Sequence, residues 1–576
     1  MKTDPAGHTS ENVLDETTDK IAAARSLTNR PFRDRMCPYP NIGSLLLERT
    51  TEVPEKLWLI YLADSGETRS YSYSEFFVAS KRVAKVMCRR LGLVSGDRIA
   101  TMMTNDARTV MVYFGAWILG LTVVPINCGE DDDRVAYILQ NSEVKSVFLH
   151  NDQAKRWDAL CKAVPQEVSA VVVGGSADDG FLDFDSEISS AEPLDELPDL
   201  SPETECLIVD TSGTTGPPKG VVLEHYNLLV DAQSIAEWHR FGPDDRAMCV
   251  LPIHHVNGTV VTLMAPLYSG GSVVLNQRFR AQTFWETLAR EKCTWVSVVP
   301  TVLAFLCERA DDLSQMDLGQ FRHIICGAGP LTVELARKFD HTFGKRIVHG
   351  YGLSETTCYS CFLPIDLSPE QHDHWMTECG FPSIGCPISA NEMAIHDGEG
   401  NALPPDSRGE IVIRGHNVMK YYFKRPDANK YTFAHGWFRS GDEGFYRVGE
   451  DGLSYFFITG RLKELIIRGG VNYSPFDIDE VLNAIPGIKA AMSVGFENDF
   501  YGEEVGAYVQ REDEAGISDQ DIISSCLKEL PYSKCPKVVV FGETFPVTST
   551  GKYQRNKLKP LFAGWKNVQF REEKKK

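Results

Sequence analysis

Nine short apolar runs, rich in β-branched residues, punctuate residues 98–349 and leave helical patterns between them. Four fall at 98–103, 122–126, 147–149 and 170–173, and five more at 207–209, 273–275, 295–299, 323–326 and 346–349. Strands separated by helices cannot close tight hairpins, because each helix must cross a sheet face before the next strand is laid down. The pattern predicts α/β layers around mostly parallel sheets. From residue 409 the texture changes, with GEIVIRG, SYFFITG and ELIIRGG close together. The last hundred or so residues read as a compact α+β unit, with a helix over 475–484 and strands at 490–495 and 505–509. No repeat of 20–50 residues is visible, which excludes a solenoid or propeller. The first forty residues are polar, then proline-rich, and read as a tail with room for one helix.

Composition narrows the class. The 576 residues are 43% hydrophobic and 24% charged, ordinary for a globular protein and unlike a collagen or a disordered polymer. Lys and Arg number 59 against 79 Asp and Glu, a net charge of −20, so no basic nucleic-acid footprint is expected. Residues 174–205 hold eleven of those acids and no Lys, Arg or His, and read as a solvated connector. The uncharged stretch 109–129 reaches membrane-spanning length. Gly115, Gly120, Thr122, Pro125 and Asn127 argue instead for a buried helix at 110–119 that turns at Gly120 into a core strand at 122–126. No transmembrane segment is expected. Fifteen scattered cysteines behind a polar, leaderless N-terminus suggest reduced thiols and a cytoplasmic protein. Cys358-x-x-Cys361, near Cys379, Cys386, His372 and His374, leaves two readings open: a zinc site, although a matching second pair is missing, or ordinary buried thiols.

The densest chemistry is Thr-Ser-Gly-Thr-Thr-Gly-Pro-Pro-Lys-Gly over 211–220, directly after an apolar run. Thr211, Ser212, Thr214 and Thr215 supply hydroxyls, Gly213 and Gly216 free the backbone to approach a ligand, and Lys219 adds a cation. That combination suits a phosphate cradle better than a bare turn. It is not a Walker loop, because two prolines separate Gly216 from Lys219.

This loop resembles the signature of the adenylate-forming superfamily, which includes acyl-CoA synthetases, luciferases and peptide-synthetase adenylation domains. Further matches follow in family order: Pro252-Ile-His-His-Val-Asn-Gly258, Gly327-Ala-Gly-Pro330, Tyr351-Gly-Leu-Ser-Glu-Thr356, Gly409-Glu410, Trp437-Phe-Arg-Ser-Gly-Asp442, Gly460-Arg-Leu-Lys463, and Pro546-Val-Thr-Ser-Thr-Gly-Lys552 with Arg555. The resemblance covers nearly the whole chain beyond the first forty residues. It implies a tail at 1–38, a large adenylating domain at 39–459, a hinge at 460–463 and a small mobile domain at 464–576.

It also implies a reaction: ATP activates a carboxylic acid to an acyl-adenylate with release of pyrophosphate, and a thiol then takes the acyl group. Lys219 and the hydroxyl loop would hold the departing phosphates, and Glu355 would ligate Mg²⁺. Lys552 would reach the carboxylate and the α-phosphate. Tyr351 would stack on adenine, with Gly327, Ala328, Gly329 and Gly352 beside the base. Asp442 would accept from the ribose hydroxyls and Arg461 would assist. Ser354 stands where the family usually has Thr, and keeps the hydroxyl. Lys463 marks the hinge, and Gly469 and Gly470 suit a pantetheine arm or a plain β-turn. His255 has two readings, a gate at the acyl pocket or a packing residue. Peptide-synthetase domains usually place an Asp in this region to pair an amino group; none stands at 254–261, which argues against an amino-acid substrate. The expectation is an AMP-forming acid–CoA ligase for a small or medium carboxylic acid, with ATP, Mg²⁺ and coenzyme A. Its rival is an adenylating ligase that loads a carrier-protein thiol or an amine.

Overall fold

The computed structural model describes residues 10–175, 181–211, 218–512, 516–547 and 553–571. Among the described residues four sheets form, and each of the nine predicted runs overlaps a strand. The largest sheet has a parallel core in the order Ile347–Tyr351, His323–Cys326, Trp295–Val298, Arg246–Cys249, Ser272–Asn276, Leu57–Leu62. The second runs Lys219–Glu224, Glu205–Thr211, Thr122–Pro125, Arg98–Met102, Ser146–His150, Ser169–Val173, parallel except for its first pair. Most of these strands are buried along their length, which is why they read as continuous apolar runs rather than alternating ones.

The two sheets share one hydrophobic core with the helices Ala107–Leu119 and His225–His239 and the π-helical stretch Asn257–Met264. Polar side chains tie the layers together. Asn105 Nδ2 donates to Leu251 O and Asn276 O, each at 3.0 Å, and Trp117 Nε1 donates to Cys206 O at 2.8 Å. The uncharged stretch is indeed a buried helix, ended by Gly120 at φ +74°, a left-handed conformation that glycine adopts without penalty. No described helix is long and apolar enough to cross a membrane.

A four-stranded antiparallel sheet follows, made of Asn391–His396, Gly409–Gly415, Phe438–Val448 and Ser454–Arg461. The C-terminal unit pairs Ile488–Asn498 with Gly502–Arg511 and packs the helices Pro475–Asn483 and Asp519–Glu529 around Ile466, Ile478, Leu482, Val505 and Ile522. It meets the large body through charged and polar contacts. Arg408 pairs with Asp477 at 2.9 Å, Lys489 Nζ with Glu308 at 2.9 Å, and Glu480 accepts from the Val333 N–H at 3.3 Å.

Residues 25–36 differ from the expected tail. After the helix Ser10–Ala24, the chain lies against the body: Arg25 pairs with the fully buried Glu224, and Thr28 donates through N–H and hydroxyl to Glu392, each at 2.7 Å. Arg35 sits 4.2 Å over the Phe32 ring and 4.3 Å over Tyr226. The partners stand hundreds of residues away, so a local reading sees only unsatisfied polarity.

Candidate active site

The phosphate-loop motif joins the two antiparallel strands of a hairpin. Thr211 closes the strand Glu205–Thr211, Lys219 opens Lys219–Glu224, and Thr211 Oγ1 donates to Lys219 O at 3.3 Å. Ser212, Gly213, Thr214, Thr215 and Gly216 lie outside the described residues. Lys219 projects over the Tyr422 ring, with Nζ 4.7 Å from its centroid. Burial holds the Lys219 pKa below the usual lysine range, the neighbouring Lys463 adds to that, and Glu355 pulls the other way.

Glu355 sits on a single 3₁₀ turn, Ser354–Thr356, just after the strand Ile347–Tyr351. It is buried, its Oε1 accepts from Tyr422 Oη at 2.7 Å, and its carbonyl accepts from Met419 N at 2.8 Å. Tyr422 belongs to a two-residue strand on the outer edge of Lys219–Glu224, so one hairpin and its neighbour bring Lys219, Tyr422 and Glu355 together. Burial, then the Glu355 charge, raises the Tyr422 phenol well above its ordinary value, which keeps it a donor.

Asp442 forms a second focus. It is buried, accepts from Tyr351 Oη at 2.6 Å, and lies 3.2 Å from Arg461 Nε, its partner across the antiparallel ladder. Its own N–H donates to Ser440 Oγ at 3.0 Å. Glu410 accepts from Gly441 N at 2.9 Å and from Arg439 Nε at 2.8 Å, so the Gly409-Glu410 motif holds the irregular stretch of the strand Phe438–Val448 that carries Asp442. The motif was visible in the sequence; the positioning role was not.

The turn Gly327–Gly329 lies against Gly350, one residue before Tyr351. A side chain at Gly327 would sit 2.6 Å from Gly350 O and 2.6 Å from Tyr359 Oη, so only glycine fits. Ala328 takes φ +60°, a conformation that costs roughly 1–2 kcal/mol outside glycine. Beneath lies a buried polar chain missed in the sequence. Ser297 Oγ donates to Asn257 Oδ1 at 2.8 Å, and Asn257 Nδ2 donates to Tyr359 Oη at 3.3 Å. Tyr359 N in turn donates to Asp231 Oδ2 at 3.4 Å, and burial pushes the Asp231 pKa up to about 8. His255 stands two residues before the π-helical stretch, partly exposed, its ring 4.4 Å from that of His254.

The remaining expected residues divide. Lys463 follows the strand Ser454–Arg461 within the field of Lys219. Gly469 (φ +58°) and Gly470 (φ +82°) are the exposed centre of a two-residue hairpin turn, the geometry in which both central residues need positive φ. Lys552 lies outside the described residues. Arg555, close by in sequence, is buried and donates to Asp479 Oδ2 at 2.6 Å. Cys358 and Cys361 are buried, with the Cys361 thiol 3.8 Å from Tyr351 O. Among the described residues no group of three or more His, Cys, Asp or Glu is arranged to hold a metal.

A sequence profile described as AMP-binding enzyme matches residues 46–423, and a second, the AMP-binding enzyme C-terminal domain, matches 477–552. The chain belongs to the AMP-binding enzyme family. This AMP-binding enzyme is 34% identical over 524 residues to a sulfoacetate–CoA ligase of Cupriavidus necator, covering 90% of the chain and 97% of the relative. It is 30% identical over 480 residues to an oxalate–CoA ligase of Arabidopsis thaliana, covering 82% and 90%. Its fold superposes on ATP-bound MatB from Rhodopseudomonas palustris with a TM-score of 0.79, at 26% identity, over 91% of this chain and 99% of that one.

Proposed function

We propose that this AMP-forming acid–CoA ligase activates a short carboxylic acid with a polar or anionic far end. The observation that carries the site assignment is the pairing of two foci: Lys219, Tyr422 and Glu355 at the hairpin mouth, and Tyr351, Asp442 and Arg461 across from it. The first suits the polyphosphate and the second the nucleoside. Tyr351 stacks on adenine, Asp442 accepts from the ribose hydroxyls, and the turn 327–329 lies beside the base. Glu355 keeps one carboxylate oxygen beyond its Tyr422 bond, and a hard oxygen ligand beside substrate phosphates suits Mg²⁺. Bound there, the ion would neutralise phosphate charge.

In the first half-reaction a carboxylate oxygen of the acid attacks the α-phosphorus and pyrophosphate leaves. Lys219 and the hydroxyl loop 211–216 hold the departing group, and Lys552 steadies the carboxylate and the α-phosphate. In the second, the coenzyme A thiol loses its proton and its sulfur attacks the acyl carbonyl, and AMP leaves. The small domain turns at Lys463 between the two, exchanging Lys552 for the Gly469–Gly470 turn, while His255 lines the pantetheine entry.

Kinship supports the polar substrate. The sulfoacetate and oxalate substrates of the two relatives agree in kind. The test is pyrophosphate release with ATP and Mg²⁺ across sulfoacetate, oxalate, unsubstituted short acids, hydroxycinnamates and fatty acids, with and without coenzyme A. Coenzyme A-dependent turnover of the short polar acids is expected. Preference for fatty acids, or release that coenzyme A cannot accelerate, would overturn the reading.

A further inference from the structure

The segment that carries Glu355 passes through a conformation that few residues adopt. After the strand Ile347–Tyr351 and the turn Ser354–Thr356, Thr357 takes φ +63° and ψ −57°. Cys358 N donates to Thr356 O at 2.7 Å, a bond between residues two apart. Angles and bond together define the γ-turn of positive φ, which is rare and strained, and Thr357 makes it with a β-branched side chain. The chain then returns antiparallel to the strand it left, with Cys361 opposite Tyr351. Little room remains inside the loop, since a side chain at Gly352 would lie 1.9 Å from Cys358 O. Strain of this kind persists only where the surroundings over-determine the backbone.

Two grips supply that constraint. Glu355 O accepts from Met419 N at 2.8 Å. Two residues on, where the next rung of the same pairing would fall, Thr357 N has turned away to Ser354 O at 3.1 Å. The Thr357 hydroxyl takes over that rung, with Oγ1 donating to Asn417 O at 2.6 Å. On the far side of the turn, Asn417 Nδ2 donates to Tyr359 O at 3.0 Å and to Asp231 Oδ1 at 2.8 Å, while Asp231 Oδ2 accepts from Tyr359 N. Thr357, Asn417 and Asp231 are all fully buried.

The same segment reaches the phosphate lysine. Lys420 N donates to Val222 O at 2.9 Å and Phe423 N to Gly220 O at 2.8 Å, so this stretch lies along the strand that Lys219 opens. Tyr422, within it, donates to Glu355 Oε1. One short run of chain therefore sets the backbone of Glu355, one oxygen of its carboxylate, and the register of both with Lys219.

We propose that Thr357, Asn417 and Asp231 are positioning residues for adenylation. The strained turn, locked by the hydroxyl bond, fixes the Glu355 carboxylate relative to Lys219 so that it can hold Mg²⁺. Without the bond, relief of the strain would rotate the chain at Thr357 and carry Glu355 out of register. This role rests on the reading of Glu355 as the residue that holds the ion.

The test uses the full-length chain. Thr357→Val keeps the branched shape and removes the hydroxyl, and Thr357→Ser restores it. Thr357→Gly, which adopts positive φ without strain, gives the same comparison where the valine variant fails to fold. In the valine variant, pyrophosphate release from acid and ATP should fall about 10–100-fold and half-saturation with Mg²⁺ should rise about tenfold, as for other groups that orient metal ligands. Thioester formation from supplied acyl-adenylate and coenzyme A should stay near wild type, and serine should recover most of the loss. In the Glu355→Gln background the valine change should add less than about threefold, because it acts through that carboxylate. Amide exchange over residues 354–360, measured without nucleotide or metal, should quicken about tenfold, the worth of one hydrogen bond.

Equal loss in both half-reactions, unchanged exchange over 354–360, or a full further loss in the Glu355→Gln background would overturn the proposal. A shifted Mg²⁺ profile in Glu355→Gln beside a normal one in Thr357→Val would overturn the positioning role alone. A normal profile in Glu355→Gln would instead overturn the assignment of the ion to Glu355, and the positioning role with it.

Discussion

Tyr351 Oη donates to Asp442 Oδ2 at 2.6 Å, in a buried contact that spans 91 residues of sequence. Burial, then the Asp442 charge, raises the phenol well above its ordinary pKa, so it stays a donor at any working pH. The bond couples the aromatic face assigned to adenine with the carboxylate assigned to ribose. Base and sugar are then read as one unit.

That coupling is measurable. Asp442→Ala should weaken ATP binding by about 1.5–3 kcal/mol and Tyr351→Phe by about 1 kcal/mol. The double variant should lose less than the sum, since each single change already breaks the shared bond. Calorimetric ATP titrations of the three variants check this, and strict additivity would speak against the coupling.

Glu355→Gln keeps an oxygen for the Tyr422 hydroxyl while removing the charge. Adenylation should slow by about 10²–10³, and half-saturation with Mg²⁺ should move to higher concentration. Pyrophosphate release measured against Mg²⁺ gives both numbers. A normal Mg²⁺ profile would remove the metal from Glu355.

Lys552→Ala separates the half-reactions. Pyrophosphate release from acid and ATP should fall by about 10²–10³ or more, while thioester formation from supplied acyl-adenylate and coenzyme A should stay near wild type. Equal loss in the two assays would contradict the division of labour.

Glu480 titrates at the domain boundary, where burial raises its pKa from 4.5 to about 8. The folded state therefore favours the protonated carboxyl. Its contribution to stability is complete below about pH 4.5 and is lost progressively as pH rises through about 8, on the order of 5 kcal/mol in total. Glu480→Gln mimics the protonated form and still accepts from Val333. Melting temperatures of wild type and variant should coincide near pH 4.5 and diverge in favour of the variant toward pH 8. A gap independent of pH would assign the effect to packing.

Arg25→Ala leaves Glu224 inside the body with only Lys420, at 3.4 Å, for a counter-charge. Removing one partner of a buried pair typically costs about 3–5 kcal/mol. Lys420 offsets part of that, so a loss of about 2–4 kcal/mol in chemical denaturation is expected. A change under about 0.5 kcal/mol would make the pair a surface decoration.

Local chemistry carried much of this structure. Apolar runs such as 147–149 and 323–326 became strands because full burial removes the need for alternation. The strands Leu57–Leu62 and Arg246–Cys249 were not singled out, although each sits inside the largest sheet. Sheet order depends on which faces meet, and no window of sequence contains that. The same limit explains the site. Glu355 and Asp442 were picked out by their motifs, but Tyr422 and Tyr359 act through contacts between segments dozens of residues apart. Their sequence neighbourhoods look like ordinary strand and turn.

The strap over residues 25–36 bears on where this chain can be cut. The family match begins at residue 46, an inviting point for a shortened gene. A chain started there would lack Arg25, the 2.7 Å contacts of Thr28 with Glu392, and the Phe32 ring that packs edge-on to Tyr226 at 5.3 Å. It would bring a carboxylate and an aromatic surface to light. Poor yield from such a fragment would then reflect a missing brace, with the catalytic machinery fully encoded.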